Sequence, residues 1–224
     1  MSYTIVRQRR KTCAIYVRST GVEVRAPLRM PLAEIDSFVA SKQDWIARKF
    51  AEAAAQAVKK AGFTLEYGDS LLYRGREYPI VSVPGKRMQF NGEAFRLPKG
   101  LSAEALKAAC VQLYRALARE RLTRRVAELS QEMGVVPASI RINGATTRWG
   151  SCSSKKSLNF SWRLVMASDE VIDYVVVHEL AHLTEMNHSP RFWKIVQGVL
   201  PDYQDRRMLL RNLQDRLRVE NWES

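Results

Sequence analysis

Histidine is nearly missing from this chain. Only His178, His182 and His188 occur in 224 residues, all within the run HELAHLTEMNH. Chemistry that needs imidazole is therefore confined to one short segment. Cysteine is equally sparse. Cys13, Cys110 and Cys152 are scattered and form no C-x-x-C pair, which argues against a cysteine-built structural zinc site. Three cysteines cannot all pair with one another, as fits a reducing compartment. No stretch approaches the ~20 apolar residues of a membrane span. The opening MSYTIVRQRRKT lacks an apolar signal core, so a cytoplasmic location is expected. Internal repeats and low-complexity tracts are missing. So are helix-turn-helix, zinc-finger and RNA-binding signatures.

What is present is an ordinary core and an unbalanced charge. Hydrophobic residues make up 46% of the chain, typical of a globular protein. Lysine and arginine exceed the acids by 36 to 23, a net charge of +13. Such a balance favours nucleic acid, anionic membrane or acidic substrates. The basic residues are dispersed, however. Arg115, Arg119, Arg121, Arg124 and Arg125 fall around several sides of their helix. A solvated basic surface is the simpler reading, with nucleic acid as the competing one.

His178, Glu179 and His182 form H-E-x-x-H, a zinc hydrolase signature. The segment DEVIDYVVVHELAHLTEM reads as a helix, with Ser168 as N-cap and Asp169 and Glu170 suited to its positive end. Ile172, Val175, Val176, Leu180 and Leu183 give it a broad buried face. The three consecutive valines alone would also fit a strand. On a helix His178 and His182 lie one turn apart on one face. Glu179 is rotated about 100° from His178, beside a metal rather than bound to it. Asn187 is expected to end the helix in the left-handed conformation. Ser189 and Pro190 start the next one, which folds His188 back as the third ligand. Three histidines leave a fourth position open for water, the mark of a catalytic site. The spacing matches the metzincin motif, but Glu185 stands where metzincins have glycine. Glu185, one turn past His182, is also a rival ligand or a supporting group. For the oxyanion donor the candidates are Tyr174, Arg148 and Tyr203. Cys152 as a nucleophile lacks a base if all three histidines bind metal.

Along the chain, residues 3–26 read as a basic hairpin turning near Thr20 and Gly21. A helix is expected from Pro31 to about Lys60. FTLEYG, SLLYRGREYPIVSV and EAFRLP are expected strands, with Asn91-Gly92 as a turn. Pro98 to Gly100 marks a soft boundary. A helix then runs from Ser102 to Gly134, followed by strand SIRIN and strands TTRWGSC and SLNFSWRLV around a turn at Ser153–Lys156. After the metal helix come a short helix over 190–198 and a last one to about Arg218. Gly150 permits close backbone approach. One strand in 145–164, with Trp149, Gly150 and Ser151, is expected to pair with extended substrate. The equal alternative is that Trp149 and Trp162 simply cover the core.

The segments TRWGSCSS, LNFSWRLV, YVVVHELAHL and NHSPRFW, with RQRRKTCAIYVRSTGVEVRAP and DWIARK earlier, resemble the bacterial YgjP-like metal-dependent hydrolases. Those are zincin-like proteins similar to SprT-like and WLM-type metallopeptidases. The resemblance implies an α+β fold with a mixed or antiparallel sheet beside the H-E-x-x-H helix. It implies zinc on His178, His182 and His188, one per chain, with Glu179 as base. H-E-x-x-H with a third histidine points to a zinc-dependent peptidase or amide hydrolase acting on a peptide or protein. The domain expectation is an N-terminal β-rich lobe, 1–100, and a catalytic lobe, 101–224, or one continuous domain. Two other functions stay open: a nucleic-acid-associated protease, and a metal-stabilised binding module without turnover.

Overall fold

The structure, a computed structural model, describes residues 2–222. The fold is α+β, and the chain divides into two compact units. One holds the chain up to Phe63 with Arg218–Asn221, and the other holds Thr64–Leu217 with Trp222. Pro98–Gly100, where a soft boundary was expected, lies inside the second unit. Among the described residues, no helix is long and apolar enough to cross a membrane.

The first unit is a three-stranded sheet of β1 (Thr4–Gln8), β2 (Ala14–Arg18) and β3 (Gly21–Pro27), with helices α1 (Leu32–Ala40) and α2 (Gln43–Ala61). The expected hairpin is present as β2 and β3, but residues 4–8 form a separate strand parallel to β3, giving the order β1-β3-β2. Val22, Val24 and Ala26 alternate inward along β3, and Val24 and Ala26 cluster with Ile35. The single helix expected over 31–60 is broken at Ser41–Lys42. The Ser41 hydroxyl donates to the Phe38 carbonyl at 2.7 Å, a local bond that competes with helix continuation.

The second unit begins with a four-stranded sheet, β4 (Ser70–Tyr73), β5 (Arg76–Val83), β6 (Gln89–Phe90) and β7 (Phe95–Pro98), in the order β4-β5-β7-β6. FTLEYG forms no strand. At the predicted turn Asn91 Oδ1 accepts from the Glu93 and Ala94 amides, and Gly92 takes φ +97°. Helix α3 (Ala103–Glu132) starts at Ser102, whose side chain accepts from the Ala105 amide, and stops before Gly134 at φ +64°. Strands β8 (Ser139–Asn143), β9 (Gly150–Cys152) and β10 (Ser157–Ser161) form a mixed sheet in the order β8-β10-β9. Residues 162–166 form a fully buried 3-10 turn instead of continuing the strand. Trp162 stacks there on Tyr114 at 5.4 Å and meets Trp222 edge-on at 5.8 Å.

Helix α4 (Asp169–Ala181) runs through the core, followed by α5 (Pro190–Val199) and α6 (Tyr203–Leu217). Nearly every side of α4 is buried, which is why its valine run is helical: packing on all faces overrides the weak strand preference. Its half-buried acids Asp169 and Asp173 meet a matching ladder on α3. Arg121 pairs with Asp169 at 2.9 Å and Arg125 with Asp173 at 2.7 Å. Two of the α3 arginines thus hold α4 rather than an external partner. The β4–β5 turn adds Arg74 Nε at 2.9 Å from Asp169.

Candidate metal centre

Residue chemistry converges at the C-terminal end of α4. His178 and Glu179 occupy its last full turn and His182 is its C-cap. The helix ends there, about five residues before the expected stop. Asn187 is not left-handed, since Arg74 and Lys156 are the only described non-glycine residues at positive φ. The chain turns instead on the Leu183, Thr184 and Glu185 amides, which donate back to the Leu180 and Ala181 carbonyls. That earlier turn leaves His182 Nδ1 3.1 Å from the Glu185 carbonyl oxygen. Glu185 therefore acts through its backbone. Its carboxylate accepts from the Asn187 amide at 3.4 Å and is not among the clustered donor groups. The Ser189 hydroxyl accepts from the Phe192 amide and Pro190 opens α5, as the sequence predicts. This brings His188 back over His178.

One nitrogen from each of His178, His182 and His188 lies within 4.8 Å of the others. His188 Nε2 is 3.0 Å from His178 Nε2. Two imidazole nitrogens that close share either one proton or one cation. With His182 Nδ1 donating to a carbonyl, its Nε2 is left as a ligand atom. His178 Nδ1 is buried with no hydrogen-bond partner among the described residues, so no protein group selects its tautomer. A cation on Nε2 would select it. The His178 pKa is pushed down to about 3, first by burial and then by His182, His188 and Arg207. A neutral, proton-poor imidazole is a metal ligand in waiting. The donor set fits a divalent ion that favours nitrogen.

Glu179 is 6% exposed. Burial raises its pKa to about 7, against an opposing pull from Arg148. The cause of its placement lies on β9. A Cβ built on Gly150 would fall 2.6 Å from both Glu179 Cγ and Oε1. No side chain fits there, so Gly150 lets the carboxylate lie over the strand. β9 is an edge of its sheet, with Gly150 opposite Phe160 and Ser151 opposite Asn159. The Trp149 carbonyl accepts from the Ser161 amide at 2.9 Å, continuing the ladder by one residue.

The remaining sequence candidates sit at different distances. The Tyr174 ring is 5.9 Å from that of His178, and burial raises its pKa. Tyr203 stacks on Trp193 at 5.2 Å and 20°. Arg148 is exposed. The aromatic wall of the cluster was not predicted. Phe192 lies 4.6 to 4.9 Å from all three histidine rings. Trp193 lies 5.9 Å from His178 and His188. Both belong to NHSPRFW, so the signal was their position just after the third histidine.

The family model described as "YgjP-like, metallopeptidase domain" matches residues 11–213. Two solved metallopeptidase zymogens are similar over part of the chain. Abylysin of Pyrococcus abyssi is 20% identical with a TM-score of 0.38, covering 45% of this chain and 97% of that one. Jannalysin of Methanocaldococcus jannaschii is 21% identical with a TM-score of 0.37, covering 42% and 95%. No curated protein matches.

Proposed function

Because the chain belongs to the YgjP-like metallopeptidase family, we propose that this metal-dependent hydrolase is a zinc peptidase. His178, His182 and His188 would hold one zinc per chain, and Glu179 would be the general base. The observation that carries this reading is the meeting of three imidazole nitrogens within 4.8 Å beside a buried carboxylate. When bound, zinc lowers the pKa of water from ~15.7 to about 7 and polarises a carbonyl. Glu179 takes the water proton on its carboxylate and returns it to the leaving amine. Burial keeps water from competing for that carboxylate, and Gly150 fixes where it lies. Tyr174, whose ring lies 5.9 Å from that of His178, is the first candidate to steady the developing oxyanion. The free edge of β9, at Trp149, Gly150 and Ser151, would align a peptide strand by backbone bonds.

The test is hydrolysis of peptides by zinc-loaded wild type and Glu179→Gln. General-base loss costs about 10²–10⁴-fold, with zinc retained at one equivalent. Equal rates would remove Glu179 from the role. Unfolding on chelation, with no turnover by either protein, would favour a metal-stabilised binding module.

Nucleic acid is the second proposed partner. Residues 1–63 carry twelve lysines and arginines against five acids, hence +7 of the total +13. On the outward face of their sheet Tyr16 is 39% exposed, with the Arg25 guanidinium 4.3 Å over its ring. DNA or RNA binding that weakens as salt rises is expected. No binding at low salt would reject it. The three unpaired cysteines fit the proposed cytoplasmic location.

A further inference from the structure

Helix α6 presents a second constellation toward the metal cluster. Tyr203, Arg207 and Arg211 recur at i, i+4 and i+8, so they share one face. Trp193 anchors this face. Its ring stacks on Tyr203 at 5.2 Å and carries the Arg207 guanidinium 5.6 Å from its centroid. The same ring lies 5.9 Å from the rings of His178 and His188. Arg207 is thus one aromatic ring away from two of the three proposed ligands.

The neighbouring cation on α6 is built differently. Arg206 is held by Asp202 at 2.9 Å and donates to the Glu170 carbonyl at 3.2 Å. Arg216 is held by Glu77 at 2.6 Å. Arg207 is exposed and has no acidic partner among the described residues. Stacking on an indole fixes the guanidinium without neutralising it. A positioned, exposed, unpaired guanidinium is suited to a carboxylate, which it can bind through two parallel hydrogen bonds.

We propose that Arg207, stacked on Trp193, forms a carboxylate subsite beside the metal cluster. The substrates would be peptides with an acidic side chain or a free C-terminal carboxylate within one or two residues of the scissile bond. This deepens the peptidase reading and rests on it for the position of the scissile bond. In this arrangement Arg207 is a specificity residue that binds substrate away from the reacting atoms. Its effect falls on substrate choice and KM.

The experiment compares zinc-loaded wild type, Arg207→Gln, Arg207→Lys and Arg207→Glu. The peptides share one scissile sequence, carry Glu, Gln or Lys at each flanking position, and end in either a free or an amidated C-terminus. Wild type is expected to favour the carboxylate-bearing peptide about tenfold in kcat/KM, mainly through KM. Arg207→Gln should erase the preference, Arg207→Lys should restore part of it, and Arg207→Glu should turn it toward Lys peptides. Loss of the preference on amidation assigns the terminal carboxylate as its source. Loss on Glu-to-Gln exchange assigns the side chain. An unchanged preference ratio in Arg207→Gln overturns the subsite. So does a uniform fall in kcat at constant KM, which would place the guanidinium on the reacting oxygen. If wild type cleaves none of the peptides, the peptidase reading fails separately. Calorimetric binding of the same peptides to Glu179→Gln then decides the subsite: an Arg207-dependent carboxylate preference supports it, and equal binding overturns it.

Discussion

The molecule contains the same small sheet twice. In β1-β3-β2 and in β8-β10-β9, the first strand runs parallel to the third and the second runs antiparallel to it. Each has a five-residue first strand and a short turn between the second and third. Their middle-strand interiors differ. β3 buries Val22, Val24 and Ala26, small side chains over α1, whereas β10 buries Leu158 and Phe160. Their second strands differ more. β2 offers Tyr16 and Arg18 to solvent, while β9 offers Gly150 to the Glu179 carboxylate. Topology is shared and chemistry is not. One glycine at an edge separates a strand that presents side chains to solvent from one that makes room for the proposed base.

Substitutions in corresponding strands test that difference. The largest effect should come from the middle strands. Phe160→Ala should cost about 3–5 kcal/mol. Val24→Ala, which removes two methyl groups at ~0.8 kcal/mol each plus a small cavity, should cost about 2 kcal/mol. Denaturant melts of the full chain measure both. Equal costs would mean that the two cores are packed alike.

Gly150→Ala comes next. The new methyl must displace Glu179, and a misplacement of about 1 Å costs on the order of 10²-fold in rate, near 2.7 kcal/mol. Zinc content should stay at one equivalent, because the atoms nearest that position belong to Glu179 and not to the histidines. Tyr16→Ala, on the corresponding second strand, should leave peptide hydrolysis unaltered. A Gly150→Ala enzyme with wild-type kcat would erase the distinction between the two edges.

The smallest effect concerns how α4 is held. The Arg74 hydrogen bond, aided by Arg121, lowers the Asp169 pKa. A carboxylate with a depressed folded-state pKa stabilises the fold above its ordinary unfolded value, and this contribution is lost as pH falls through the folded value. Asp169→Asn should therefore lower Tm near neutral pH and converge with wild type in acid. The pair is partly exposed, so less than about 1 kcal/mol, or at most about 2–4 °C, is expected. A gap that widens in acid would contradict the assignment.

Much of the site was readable because local rules decide it. The i, i+4 spacing fixes His178 and His182 on one face, and Ser189-Pro190 sets the start of α5. The α3 limits followed from Ser102 and Gly134 for the same reason. What was misread depends on partners distant in sequence. The parallel pairing of β1 needs β3, and the 3-10 turn at 162–166 answers to Tyr114 and Trp222. The break at Ser41 was local but weak, a single hydroxyl in an otherwise helical pattern. The early end of α4 comes from the Thr184 and Glu185 amides turning back onto the Ala181 carbonyl, which no periodicity reveals. Arg207 was lost among dispersed cations. Its role emerges only when the α6 face is set against Trp193.

The central claim is that three imidazoles converge on one ion. X-ray absorption spectroscopy on the zinc-reconstituted protein, with His188→Ala as control, tests it most directly. One zinc per chain with three histidine nitrogens at about 2.0–2.1 Å is expected, falling to two in the variant. A wild-type spectrum with two nitrogens, or one that His188→Ala leaves unchanged, would contradict it.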